Sequence, residues 1–133
     1  MHVSTGPLRL TFVGEILSGG SLDPKMDHLV CFLPGLLALG AQAGAAPALQ
    51  PGQPLAGHPD MVLAAALART CYEGYNQMAA GLAPEIWRFE QKAGAASDFI
   101  VSQRDSHNLL RPETVESLFV LHRLTGEKVL ARL

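Results

Sequence analysis

The sequence has 133 residues, 48% apolar and 17% charged, with a formal net charge of −2, which is the composition of a chain that packs a core and excludes a disordered one. Charges of both signs are interspersed with no block of Lys or Arg, so neither nucleic acid nor an anionic membrane surface is an expected partner. No stretch approaches the ~20 consecutive apolar residues that span a bilayer, and Met1 to Pro7 lacks the basic-then-apolar order of a secretory leader. Any targeting segment or anchor is therefore expected outside this piece.

In chain order, Leu8 to Ile16 (LRLTFVGEI) alternates imperfectly around Thr, Phe and Val and reads as a strand, one arm of a hairpin closed by Gly19-Gly20. Asp27 to about Ala43 is apolar almost all round, which predicts a buried helix with Asp27 as N-cap and a kink at Pro34-Gly35. Residues Gly44 to His58, rich in Ala, Gly and Pro, read as a surface loop. A second helix is expected from Pro59-Asp60 to about Ala80, with Met61, Ala64, Leu67, Ala68, Cys71, Tyr75 and Met78 at helical spacing and Gly81 as its stop.

Glu85 to Glu90 (EIWRFE) alternates as a half-buried strand does, with Phe99-Ile100-Val101 as its short partner. Burial against a helix is the expected place for Trp87 and Phe89, ahead of a sugar-stacking surface. Arg111-Pro112-Glu113 opens a third helix that Gly126 closes. A last apolar turn from Glu127 to Leu133 ends as though its continuation were cut away, as expected of an internal fragment.

The chemistry-bearing residues are few. Cys31 and Cys71 are too sparse for a zinc site and read as two buried thiols or one disulfide. Pro84-Glu85 and Pro112-Glu113 each place a carboxylate after a stiffened backbone, although Pro-Glu is also a common way to begin a helix. Glu113 and Glu116, three apart, share a helix face and need something to offset their repulsion: a cation, a metal or a sugar hydroxyl. The helix dipole and Arg111 favour the ionised form of Glu113, which suits a base better than an acid. No acid partner for it is evident. Taken alone, His28 reads as a capping or core histidine, and His58, His107 and His122 as structural or exposed. HExxH, GxSxG and phosphate-loop patterns are absent.

Three words in this order, MDHLVCFLPGLLALG (Met26 to Gly40), ARTCYEGYNQMAAGLAPEI (Ala68 to Ile86) and HNLLRPETVESLFVLHRLTG (His107 to Gly126), closely resemble glycoside hydrolase family 47. These are the class I α-1,2-mannosidases of the endoplasmic reticulum and Golgi; LTFVGE (Leu10 to Glu15) resembles the strand before the first word, so the likeness covers nearly the whole chain. The resemblance implies a mainly α fold, a section of an (α/α)7 barrel with short β-hairpins, residues 1–133 being part of one catalytic domain with a surface insertion at about 44–58. It implies calcium-dependent, inverting removal of terminal α-1,2-linked mannose from high-mannose N-linked glycans. The parent would be membrane-anchored in the lumen of the endoplasmic reticulum or Golgi.

Carried over by position, the resemblance makes Glu113 in LRPETVE the base that activates water and Glu85 in GLAPEI a second acidic active-site residue. Arg111, Glu116 and His28 become substrate-binding, and Cys31 and Cys71 the family's disulfide. Glu85, Glu113 and His28 are then expected around one concavity with Arg111 and Glu116 at its edge. The chain departs from the family by lacking the candidate acid, a further catalytic aspartate and the threonine that ligates calcium directly. The alternatives to a mannosidase fragment are a mannosidase-like glycan-recognition protein of glycoprotein quality control and an inactive truncated product.

Overall fold

In the computed structural model, which describes residues 1–4, 6–44 and 54–127, three α-helices pack beside short antiparallel strands. β1 (His2–Val3) pairs with β2 (Thr11–Phe12), and β3 (Glu15–Ile16) with β4 (Leu22–Asp23). β5 (Lys25–Asp27), β6 (Ile86–Phe89) and β7 (Phe99–Ile100) form a three-stranded antiparallel sheet with β6 in the middle, Met26 opposite Trp87 and Phe89 opposite Phe99. The helices are α1 (Leu33–Gln42), α2 (Pro59–Asn76) and α3 (Glu113–Thr125).

The single strand expected over Leu8 to Ile16 is divided between two hairpins. The break falls at Gly14, where a Cβ would lie 2.7 Å from Leu22 Cδ1 and 2.9 Å from Phe89 Cζ, so the backbone must cross the Phe89 ring without a side chain. The turn of the second hairpin uses Gly20 at φ +79°, as the Gly19-Gly20 signal suggests. β5 is not evident in the sequence because three residues are too few for the alternation of Lys-Met-Asp to stand out; its partner β6 imposes the pairing.

The helix expected from Asp27 starts instead as a 3-10 turn over His28–Phe32 and becomes α-helical at Leu33. Pro34 therefore sits in the first turn of α1, where its missing N–H has no intrahelical partner to lose, and no kink results. Asp27 occupies the cap position without a side-chain cap; its carboxylate lies 3.4 Å from Lys25 Nζ. α2 ends at Asn76, short of the expected Ala80, and Met78 to Gly81 form a separate turn with Gly81 at φ +63°. The start of α2 is secured by buried His58, whose Nδ1 accepts from the Asp60 N–H at 3.1 Å. Gly126, at φ +72°, closes α3 by donating to the His122 carbonyl at 2.9 Å. Of the loop expected over 44–58, Leu55–Gly57 form a 3-10 turn, while residues 45–53, like most of the final turn, lie outside the described residues.

Two clusters of buried apolar side chains hold these elements. Ala38 and Ala41 of α1, Met61, Ala64 and Ala68 of α2, and Leu118 and Leu121 of α3 form one; its alanines let the helices approach closely. Gly35 deepens that approach: a Cβ there would be 3.2 Å from Ser117 Cα, and its N–H donates to Ser117 Oγ at 3.0 Å. The second cluster gathers Leu10, Phe12, Met26, Trp87, Phe89 and Phe99 around the Cys31–Cys71 disulfide. That bond, with Cα atoms 5.9 Å apart, ties the 3-10 turn to α2. Trp87 is fully buried, as expected, and lies flat enough against α2 that a Cβ on Gly74 would be 2.2 Å from its Cζ2.

Asp98 anchors the N-terminal segment. Its carboxylate accepts from Ser4 Oγ, from the Leu8 N–H at 2.9 Å and from the Leu10 N–H at 3.1 Å. Burial works to raise this carboxyl, and the hydrogen bonds outweigh it, leaving it below the usual aspartate value.

Candidate active site

Glu85 and Arg111 meet across 26 residues of sequence. The Arg111 Nε lies 3.0 and 2.8 Å from the two Glu85 carboxylate oxygens, and its Nη2 2.7 Å from Oε2, a charge-assisted contact that fixes both side chains. The Glu85 side chain is 12% exposed and that of Arg111 25%, so the pair sits at a surface it does not fully share with water. Arg111's hydrogen bonds hold the Glu85 carboxyl below its usual range, against burial. The Glu85 backbone is pinned on both sides: its N–H donates to the Asp105 carbonyl and its carbonyl accepts from the His28 N–H, each at 2.9 Å.

Glu113 is the first residue of α3, and its Oε2 is buried with no hydrogen-bond partner among the described residues. A carboxylate oxygen at a helix N-terminus is favoured by the dipole, yet a buried acceptor without a donor is costly, about 1–3 kcal/mol. Arg111, which sequence reading assigned to Glu113, spends its hydrogen bonds on Glu85 and reaches Glu113 only through space.

His28 is fully buried. Its Nε2 lies 3.0 Å from the Tyr75 hydroxyl and 3.3 Å from Thr114 Oγ1, and its ring stands edge-on to Tyr75 and Trp87. Nδ1 is buried without a partner among the described residues, so a second proton there would be unsatisfied. Burial pushes the imidazole below its usual value; the Glu85 and Glu113 carboxylates oppose this and Arg111 adds to it.

The open hollow beside this group, about 280 Å³, is lined by Tyr72, Tyr75, Gly81, Arg111, Thr114 and hydrophobic residues of α3. His28 thus lies behind the hollow, its two hydroxyl partners forming part of the wall. Glu116, exposed and one turn after Glu113 on α3, lines a smaller hollow with Phe32, Gly35, Leu36, Leu39 and Val120. The structure therefore groups His28, Glu85, Arg111 and Glu113 within electrostatic reach, with Glu116 one turn further along α3.

Tyr75, Thr114 and Asn108 take part in this arrangement and were not singled out from the sequence. Tyr75 read as an apolar-face residue, and Thr114 and Asn108 stood inside the third quoted word without a role. His58 and His122 make local backbone contacts, as does His107 at the surface.

Comparison with known proteins decides the lineage. The model of glycosyl hydrolase family 47 matches residues 1–132. The chain belongs to that family. It is 48% identical to the mannosyl-oligosaccharide 1,2-alpha-mannosidase MNS3 of Arabidopsis thaliana over 91% of its length. It is 51% identical to the endoplasmic reticulum mannosyl-oligosaccharide 1,2-alpha-mannosidase of Rattus norvegicus over 92%. Among solved structures it shares the fold of an alpha-1,2-mannosidase from Trichoderma reesei, with a TM-score of 0.67 and 24% identity over 98% of the chain. The chain spans about a fifth of these curated relatives, 22% and 17%, and 28% of the solved one.

Proposed function

We propose that this chain is a sector of an α-1,2-mannosidase that removes terminal α-1,2-linked mannose from high-mannose N-linked glycans with inversion, Glu113 serving as the base. The observation that carries the reading is the buried, unpartnered Glu113 Oε2 beside the locked Glu85–Arg111 pair. A base for an inverting displacement needs a free lone pair directed at a water, and Glu113 has one that no described donor occupies.

Glu85 cannot serve as the acid while Arg111 holds it ionised. Its fixed charge suits accepting hydrogen bonds from sugar hydroxyls, with the outer face of Arg111 donating to the ring substituents. The acid that protonates the leaving oxygen belongs ~6.5–9.5 Å across the site, on polypeptide outside this chain. His28, neutral and buried, supports the wall through Tyr75 and Thr114 instead of exchanging protons with substrate. Glu116, exposed and one turn along α3 from Glu113, would contact the glycan or its ordered water. Calcium does not fit the described residues alone: among them no three His, Cys, Asp or Glu side chains cluster as ligands. An ion would be held by the complete domain, and no step is drawn through it.

The barrel section follows the same logic: three helices and their hairpins would form one sector of the (α/α)7 ring. A lumenal compartment of the endoplasmic reticulum or Golgi accords with the disulfide, which persists in oxidising surroundings, and the names of relatives favour the endoplasmic reticulum. A membrane anchor would lie beyond the described residues, none of whose helices is long and apolar enough to cross a bilayer. The test is to exchange this chain for the matching sector of the Rattus norvegicus relative. A folded chimera releasing mannose from α-1,2-mannobiose is expected; a folded chimera that binds high-mannose glycan without cleaving it would instead favour a recognition protein.

A further inference from the structure

Glu85 is held at its backbone, and Arg111 meets it from a loop that has no secondary structure to place it. Between them stands Asn108. Its Nδ2 donates to the Ala83 carbonyl at 2.7 Å and its Oδ1 accepts from the Leu110 N–H at 2.6 Å. Only one orientation of the amide satisfies both partners, since Ala83 offers an acceptor and Leu110 a donor.

We propose that Asn108 is the positioning residue of the Glu85–Arg111 pair, its side chain tying the turn before Glu85 to the turn before Arg111. The proposal rests on the sugar-site reading for what the pair is used for, and on geometry alone for what Asn108 does. Ala83 and Pro84 are buried, so the Ala83 carbonyl is a fixed anchor directly ahead of Glu85. Leu110 adopts φ +54°, a conformation L side chains rarely take, and at 82% exposure its side chain has no packing to hold it there. The bond to Asn108 Oδ1 supplies that restraint, and it delivers the backbone to Arg111 pointing back at Glu85. The Leu109 N–H is turned toward the Glu85 carboxylate by the same loop. A turn that only accepted from Leu110 would be local; the donor end, reaching 25 residues away, makes it a tie between the two halves of the pair.

The test is a carboxyl titration of Glu85 by NMR in this chain and in Asn108→Ala, with the Arg111 Nε–H resonance followed alongside. The charged groups acting on this carboxylate are Arg111 and His28, and Glu113 and Asp27 act on Arg111; none is altered by the substitution, and the Leu109 N–H, which also lowers Glu85, belongs to the loop that Asn108 holds. Asn108→Ala is expected to let Glu85 titrate nearer the usual glutamate range and to lose the protected Arg111 Nε–H signal, while Trp87 emission stays that of the folded core. Where Asn108→Ala alone fails to fold, Asn108→Ala with Leu110→Gly carries the test, because glycine takes positive φ without strain yet is not held there, so the fold is relieved while the tie to Ala83 and the restraint on the turn are both missing; an upward shift is again expected. A folded variant of either kind in which Glu85 titrates as in the parent chain overturns the proposal. The titration needs no substrate, so its failure leaves the sugar-site reading standing, and a chimera without mannose release leaves this one standing.

Discussion

Replacing Gly74 with alanine should destabilise the fold in a way that reports how β6 seats on α2. The added Cβ would lie 2.2 Å from Trp87 Cζ2, 2.7 Å from Cε2 and 2.8 Å from Nε1, all far inside van der Waals contact. Neither side can yield cheaply. The Trp87 ring is fully buried with His28 and Phe99 edge-on at 5.6 and 6.4 Å, and α2 is fastened one turn earlier by the Cys71 disulfide. Overpacking a core costs ~1–3 kcal/mol, and the depth of this clash places it near the upper end. Alanine in a helix returns at most about 1 kcal/mol relative to glycine. The net loss is therefore about 2 kcal/mol, or roughly a 1 M fall in the urea midpoint at slopes typical of small domains. The sole tryptophan is Trp87 itself, so its fluorescence follows the transition directly. Trp87→Phe removes the outer ring that carries Cζ2, the atom in deepest conflict, and should make Gly74→Ala markedly less costly when both are measured by circular dichroism. A Gly74→Ala midpoint equal to or above that of the parent chain would refute the packing argument.

Removing the disulfide by Cys31→Ala with Cys71→Ala should cost about 4 kcal/mol in the chain-entropy model for a separation of 40 residues, measured by the same denaturation curves. Stability should also fall with pH in two windows. His28 has a folded value below its usual 6.5, so the unfolded chain binds the proton first and the contribution, complete above 6.5, is lost as pH drops toward the folded value. Asp98, likewise lowered, contributes fully above its usual 3.8 and loses this as pH falls through its folded value; Asp98→Asn should flatten only that acid limb of a urea-midpoint profile. The isolated chain should release no detectable mannose from α-1,2-mannobiose, because catalytic groups act as a unit and the acid lies outside it; release by the pure chain would contradict the assignment of Glu113 as base alone.

The family and most helices were legible because punctuation is local: Pro59 and Pro112 at helix starts and Gly126 at a helix end act through their own backbone. The same local logic misread Pro34, since whether a proline kinks or opens a helix depends on where the helix begins, and the 3-10 turn before it is set by β5 and the disulfide. At the site, sequence proximity suggests that Arg111 serves Glu113, whereas tertiary pairing gives it to Glu85. His28 could be placed near the site by its word, but its full burial depends on Trp87, Tyr75 and Thr114 arriving from three other elements. The Asp98 anchor left no local sign, because its partners lie about 90 residues away.

The most direct test of the account is the kcat for α-1,2-mannobiose of the chimera carrying this sector, with Glu113 intact and as Glu113→Gln. Glutamine keeps the shape of the side chain and removes its basicity, so kcat should fall by about 10²–10⁴-fold with KM changed little. A folded Glu113→Gln chimera that turns over within a few-fold of its parent would contradict it.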